Sequence, residues 1–458
     1  MVLKLFNTLG RKKQEFKPIH GKEVGIYTCG PTVYWYQHIG NLRSYIFADI
    51  LKRVLIYDGF KVKHVMNVTD VGHLTSDADS GEDKMEKAAL KEGKKAEDIA
   101  NYYWKIFRED FKKLNIIEPN IWCKATEHIK EQIELIKKLE EKGYTYETSD
   151  GIYFDTSKYK DYGKLALLNV KGLEAGKRIE VGDKRNKTDF ALWKFSEEEG
   201  KRQQEWKSPW GIGFPGWHIE CSAMSSKYLG EQFDIHTGGE DHIPIHHTNE
   251  ICQSECAFGK KPWVNYWLHG AFLTFKGEKV SKSKGGLFTI SELEEKEYKP
   301  LEYRYFCLNG HYRTQLEFSI ENLDNAKNSL QRLKRIISSL PKDNENSKID
   351  KKYLEEFENA INDDLDMPKA LSVLWKLVRD EKAEGKIKTI KKMDEVFGLD
   401  LLKKEEIKIP HEVQKLVEER EKARKTKDFK KSDELRDKIN KLGFNVADSK
   451  EGVKISKL

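Results

Sequence analysis

Val24-Gly25-Ile26-Tyr27-Thr28-Cys29-Gly30-Pro31, followed by Tyr34-Trp35-Tyr36-Gln37-His38-Ile39-Gly40-Asn41, decides how this chain folds. The first five residues read as a short buried strand, and Cys29-Gly30-Pro31 as the turn that ends it. Beyond Asn41, Phe47, Ile50, Leu51 and Val54 continue in a helical pattern. A strand–loop–helix unit of this kind offers a helix N-terminus that can receive an anionic phosphate. His38 and Asn41 are three apart and both donate hydrogen bonds, while Gly40 lets a flat base approach the backbone. A second strand, Lys63 to Val68, runs into Thr69-Asp70. Strands alternating with helices predict an α/β fold, with a parallel sheet and ligands at the C-terminal strand ends.

Working outward, Asp77 to Lys95 is charged and reads as surface, and Leu114 to Gly143 as helix with Ile129, Ile133 and Ile136 on one face. Gly151 to Asp155, with the Gly- and Lys-rich stretch to Lys187, reads as a strand-rich insertion, and Asp189 to Lys194 re-enters the core. From Ser319 the pattern changes: Leu323, Ala326, Leu330, Leu333 and Ile337 recur at three and four, the mark of a helix in a bundle. Leu340 to Asp350 is a polar loop, Tyr353 to Val378 is helical again and Lys403 to Pro410 is a charged linker. Two further helices are expected around Val413–Lys425 and Ser432–Leu442, stopping at Gly443.

The 458 residues suffice for roughly three domains. Charged residues make up 34%, but 11% aromatic content separates the chain from disordered ones. No apolar run approaches the roughly 20 residues that span a bilayer, so no membrane association is expected. Six cysteines without a CxxC pair argue for a reducing, cytoplasmic setting. Of the +6 net charge, +5 lies from Leu401 onward, where seventeen Lys/Arg face twelve Asp/Glu. Such a small basic module suits phosphate contact, though an ordinary solvated helical surface has the same composition.

Chemistry concentrates in Pro215-Gly216-Trp217-His218-Ile219-Glu220-Cys221, Asp234 to Asp241, and His246-His247-Thr248-Asn249-Glu250. His246 and Glu250 are four apart and share one helical face. An imidazole and a carboxylate so placed can grip one metal ion, and a thiolate would complete a mixed N/O/S site suited to zinc. Alone, the pair also fits an exposed polar helix end. Cys252 and Cys256 are four apart too, but their edge lies roughly 120° around the helix, and they read as small core residues. His247 is rotated off the His246 edge and reads as a hydrogen-bonding neighbour; His218 and His236 are given no ligand role. Lys279-Val280-Ser281-Lys282-Ser283-Lys284-Gly285-Gly286 reads as a mobile loop able to close over a polyphosphate.

These pieces stand in an order that resembles the cysteinyl-tRNA synthetases, a class I aminoacyl-tRNA synthetase family, from the first strand to the last helix. His38-Ile39-Gly40-Asn41 is similar to the family's HIGH signature with Asn in fourth place, and Lys279-Val280-Ser281-Lys282-Ser283 to its KMSKS loop with Val for Met. Thr28 to Tyr34, Pro215 to Met224 and His246 to Glu250 resemble the cysteine-specific segments. Two departures are Val71-Gly72-His73, where many members carry two acidic residues, and Gly452-Val453-Lys454-Ile455, which lacks a common tryptophan.

The resemblance implies a Rossmann-like catalytic domain over 1–116 and 206–290, an inserted connective domain over 117–205 and a stem-contact region over 291–318. A helical bundle over 319–402 and a small anticodon-binding, tRNA-binding domain over 403–458 complete it. It carries zinc onto Cys29, Cys221, His246 and Glu250, with the substrate thiolate joining the ion, and selection of that thiol then needs no hydrolytic editing domain. His38, Gly40, Asn41, Lys279 and Lys282 would serve ATP, which enters with Mg²⁺, while Thr69, Trp217 and Asp241 would hold the ends of L-cysteine. The implied reaction forms cysteinyl-adenylate, then esterifies the terminal 2′-OH of the tRNA for cysteine; a monomer is expected. Arg420, Lys422, Arg424, Lys425, Lys427, Lys430 and Lys431 would meet the RNA backbone. The alternative is a cysteine ligase that joins cysteine to an aminosugar on the same fold, which usually lacks the terminal module; a non-catalytic zinc-bearing RNA-binding protein would need no ATP signatures.

Overall fold

The computed structural model describes residues 2–71, 84–168, 183–275, 278–279, 288–341, 343, 347–403, 410–449 and 452–457. The chain divides into two compact units, Met1–Leu401 and Leu402–Leu458.

The first unit is built on a five-stranded, wholly parallel sheet: β1 (Glu23–Thr28), β2 (Lys61–Val68), β3 (Ile121–Lys124), β4 (Phe233–Gly239) and β5 (Val264–Gly270), in spatial order β5-β4-β1-β2-β3. Ile26 pairs with Ile235 on one side and His64 on the other. The order reverses between β1 and β4, because the chain leaves β1 toward β2 and leaves β4 toward β5. Connections departing in opposite directions open a crevice at the carboxyl ends of those two strands. Three helices matter for that crevice: α1 (Ile39–Tyr57), α2 (Trp217–Leu229) and α3 (His246–Phe258). Tyr27, Val65, Ile219, Phe233, Trp263 and Trp267 form the apolar core beneath it.

Helix α1 starts where it does because His38 and Asn41 cap each other: His38 Nδ1 accepts from the Asn41 backbone N–H at 3.2 Å, and Asn41 Oδ1 accepts from the His38 backbone N–H at 3.3 Å. Asn41 takes the part that Glu or Gln usually plays in a capping box. The helix buries Arg43, whose guanidinium donates to the carbonyls of Ala271, Phe272, His311 and Thr314. Asp49, one turn and a half later, accepts from Arg53 Nε at 2.8 Å and Arg304 Nη2 at 2.6 Å.

Between β3 and α2 the chain builds a five-stranded antiparallel sheet in the order Thr145–Thr148, Gly151–Phe154, Phe190–Phe195, Gly211–Pro215, Trp206–Ser208. Trp206–Ser208 and Gly211–Pro215, which the sequence reading assigned to the parallel domain, therefore pair with the insertion instead. Residues 169–182 of the Gly- and Lys-rich stretch, and 72–83 of the Asp77–Lys95 stretch with Gly72 and His73, lie outside the described residues. The described part of the latter contains a helix, Lys84–Glu92.

Two other helical expectations are corrected. Leu114 to Gly143 is not continuous helix: Leu114 caps Ala96–Lys113, Ile121–Lys124 forms β3, and helix resumes at Ile129. A four-residue edge strand is too short to leave a periodic signal. Tyr353 to Val378 is two helices, Lys351–Ile361 and Met367–Arg379, because Asp364 and Leu365 turn with positive φ and Pro368 opens the second behind the Asp366 cap. With Ile320–Ser339 and Lys386–Phe397 these make the bundle.

In the second unit, helices His411–Lys425 and Phe429–Lys441 pack with a hairpin, Phe444–Ser449 and Gly452–Lys457. Val413, Val417, Ile439, Phe444 and Val446 are its core. Arg420 is fully buried and forms a two-pronged pair with Asp448, at 3.0 and 2.8 Å. It is a structural residue, which corrects its expected contact with the RNA backbone. Lys422, Arg424, Lys425, Lys427, Lys430 and Lys431 are exposed. Residues 404–409 of the Lys403–Pro410 linker lie outside the described residues.

Candidate active site

A cleft of about 520 Å³ opens at the switch point. It is lined by the β1 exit (Cys29 to Thr32), the start of α1 (His38, Gly40, Asn41, Ser44), the β4 exit (Gly238, Gly239, Asp241) and Gly270 to Leu273 after β5. Gly30 is required by close approach: a Cβ there would lie 1.7 Å from the Asn67 carbonyl oxygen. Gly40 is confined in the same way, its Cβ direction meeting the His38 ring at 2.9 Å.

Behind Cys29, which lines the cleft, donors from three elements converge. Cys29 follows β1, Cys221 lies in α2, and His246 and Glu250 occupy successive turns of α3. The four ligand atoms lie within 4.8 Å of one another and all four residues are buried. His246 Nε2 is 2.9 Å from Glu250 Oε1 and 3.5 Å from Cys221 Sγ, and Cys29 Sγ is 3.9 Å from Glu250 Oε1. Two sulfurs, a nitrogen and a carboxylate oxygen, converging from buried residues, fit a metal ion.

Two histidines given no ligand role, or only a neighbour's, reach the same place. His236 Nε2 is 2.9 Å from Glu250 Oε2, and His247 Nε2 is 3.2 Å from Cys29 Sγ. Cys29, His236, His247 and Glu250 form a second converging set. The strand period signals His236, which pairs beside Tyr27 one residue from the Thr28–Thr237 pair; nothing local reveals that it meets Glu250. His247 passes its other nitrogen to His269 at 2.7 Å, and His218 Nδ1 lies 3.0 Å from His246 Nδ1. Cys252 and Cys256 stay in the core.

Charge in the cluster is mutually supported. Burial favours a neutral Glu250, but the His236 and His246 charges outweigh it and bring its pKa down to about 2. Burial likewise opposes a charged His246, yet Glu250 and Cys221 raise it to about 10. Cys221 falls to about 6 against its burial, through hydrogen bonds with Cys29 and His246, whereas burial pushes Cys29 well up. A thiolate, a carboxylate and an imidazolium thus share one buried volume.

Of the substrate-binding expectations, Asp241 lines the cleft. Trp217 stacks on the His246 ring, with centroids 4.2 Å apart and planes 21° apart. Thr69 lies behind the rim: its backbone pairs with Pro31 and Val33, and its hydroxyl donates to Glu220 at 3.0 Å. Lys279 belongs to a two-residue strand with Glu278, and Val280 to Gly286, including Lys282, lie outside the described residues.

Comparison with known proteins is consistent across the chain. The family described as tRNA synthetases class I (C) catalytic domain matches residues 15–328, and that described as Cysteinyl-tRNA ligase anticodon binding domain matches 408–455. A cysteine–tRNA ligase of Burkholderia lata is 49% identical over 99% of this chain and 97% of the relative, and one of Treponema denticola 47% identical over 98% of each. Methionyl-tRNA synthetase of Mycobacterium tuberculosis bound by methionyl-adenylate has the same fold, with a TM-score of 0.56 at 15% identity over 82% of this chain and 89% of that one. With family matches over both units and relatives 47% and 49% identical over nearly the whole length, the chain belongs to the class I cysteinyl-tRNA synthetase family.

Proposed function

We propose that this chain activates L-cysteine with ATP and transfers the cysteinyl group to the tRNA for cysteine. The observation that carries the reading is the convergence of Cys29, Cys221, His246 and Glu250, with Cys29 lining the cleft that the start of α1 also lines. We take the ion to be zinc, held by these four residues; this set contains both thiols, whereas the set with His236 and His247 contains one. Zinc bound there supplies a soft acceptor for the substrate's sulfur that a serine hydroxyl engages poorly.

The chain's own residues do the rest by position and charge. The N-terminus of α1, with His38, Gly40 and Asn41, receives the ATP phosphates that enter with Mg²⁺. Lys279 and Lys282 neutralise charge as the cysteine carboxylate attacks the α-phosphate and pyrophosphate leaves. Asp241 takes the substrate ammonium, Trp217 fixes the His246 ring, and Thr69 stiffens the rim through Pro31 and Val33. The terminal ribose hydroxyl of the tRNA then attacks the adenylate carbonyl and AMP leaves.

In this reading 291–318 meets the acceptor stem and 403–458 the anticodon, and the working form is a monomer in the cytoplasm. Six free, buried cysteines support the reducing setting. Among the described residues no helix is long and apolar enough to cross a membrane. The match of 408–455 to an anticodon-binding domain disfavours the aminosugar ligase. The test is cysteine-dependent ATP–pyrophosphate exchange and tRNA charging, before and after chelation. Both activities should be present and both should fall on removing the ion; exchange without charging would sink the tRNA reading.

A further inference from the structure

Of ten tryptophans and nineteen tyrosines, all among the described residues, only Trp35 and Tyr102 are exposed, at 40% and 49%. Both belong to one patch. Trp35 lies against Tyr36 and Tyr103, with centroids 5.6 Å away in each case, and Tyr102 against Tyr103 at 5.1 Å. Tyr36 and Tyr102 join hydroxyls at 3.4 Å. Leu90, 76% exposed, stands on the neighbouring helix with Lys91, whose Nζ is 5.9 Å from the Trp35 centroid. Lys94 Nζ is 5.7 Å from the Tyr102 centroid, while also pairing with Glu92 at 2.9 Å. The patch is backed by a packed cluster that includes Val33, Val68, Ile99 and Tyr103, the buried ring that both exposed aromatics touch.

The patch continues the active-site cleft, because Tyr34 and Tyr36, the residues on either side of Trp35, line that cleft. Exposed rings cost solvation that a protein normally avoids by burial, and rings interleaved with lysines suit unpaired bases on a phosphate backbone. A flexible single strand is what must pass this rim if its last ribose is to reach an adenylate inside. We propose that Trp35 and Tyr102, with Lys91 and Lys94 beside them, form a stacking platform for the unpaired 3′ end of the tRNA. This rests on the tRNA-charging reading and adds the surface that guides the strand in. Stacking on a ring tolerates any base, so the platform sets reach and alignment and leaves identity to other contacts.

The test uses the full chain with two probes: an acceptor-stem minihelix ending in its unpaired 3′ tail, and the same minihelix trimmed flush. Trp35→Ala should weaken binding of the tailed probe, and lower kcat/KM for charging, by about 5- to 100-fold. Tyr102→Ala should act in the same direction, and Trp35→Phe should restore most of the loss. Binding of the trimmed probe and ATP–pyrophosphate exchange should stay within about twofold, the range of surface substitutions. Equal affinity of wild type and Trp35→Ala for the tailed probe overturns the proposal and assigns the patch to another occupant. Exchange falling in step with charging also overturns it, by making the patch part of the adenylate pocket or of the fold. A wild-type chain that charges no tRNA fails differently, since it removes the reading beneath the proposal.

Discussion

Cys221→Ser changes one atom of the donor cluster and leaves its shape. Cys221 is buried, its Sγ lies 3.5 Å from His246 Nε2, and the four donor atoms span at most 4.8 Å. Bonds of about 2.0–2.3 Å around a tetrahedral zinc require donor–donor edges of about 3.3–3.8 Å. The separations of 2.9, 3.5 and 3.9 Å bracket that range, so an ion enters with shifts of about half an ångström along these edges. A serine hydroxyl remains protonated where the thiol at this position ionises near pH 6. Zinc affinity should fall by more than the about 10- to 100-fold that loss of a ligand's hydrogen-bond partner costs, read as lower zinc content by elemental analysis in limiting metal. The preference for cysteine over serine in pyrophosphate exchange should drop to the about 10- to 200-fold that pocket shape alone supplies. Cys252→Ser, in the core on the same helix as His246, is the matched control and should keep its zinc. A Cys221→Ser enzyme with full zinc and undiminished preference would refute the argument.

Three further outcomes follow from buried charge. Asp110 is buried in Ala96–Lys113, and burial lifts its pKa to about 7, so the folded state holds a proton that the unfolded chain releases near pH 4. The stabilising proton is fully present below pH 4 and lost as pH rises to about 7, so Asp110→Asn should add about 2–4 kcal/mol at pH 8 and little at pH 4, read by urea unfolding. Asp49→Asn leaves Arg53 and Arg304 without their shared carboxylate, and should cost about 3–5 kcal/mol in the same measurement on unit 1–401. Arg420→Ala should remove about 1–3 kcal/mol from unit 402–458, seen as lost amide protection across 411–447, while pyrophosphate exchange persists.

What lay open in the sequence was local. The His38–Asn41 spacing announced a helix start, and the two residues turn out to cap each other. The four-residue step from His246 to Glu250 put both on one edge of a helix, because 3.6 residues make a turn. The same periodicity kept Cys252 and Cys256 off that edge and in the core. The alternation of strand and helix announced a parallel sheet, and its C-terminal strand ends as the place for chemistry.

Only the tertiary structure could decide which distant segments met. His236 comes near Cys29 because β4 pairs with β1 and sets His236 opposite Tyr27, a matter of sheet order that no window of sequence contains. Trp206 to Pro215 joined the antiparallel sheet for the same reason, since a short strand takes whichever edge pairs its backbone groups. Arg420 looked like any basic residue until Asp448 on the following hairpin paired with it and the fold buried its guanidinium. Periodicity is written in neighbouring residues; partnership across the chain is settled by burial and by the demand that buried polar groups find each other.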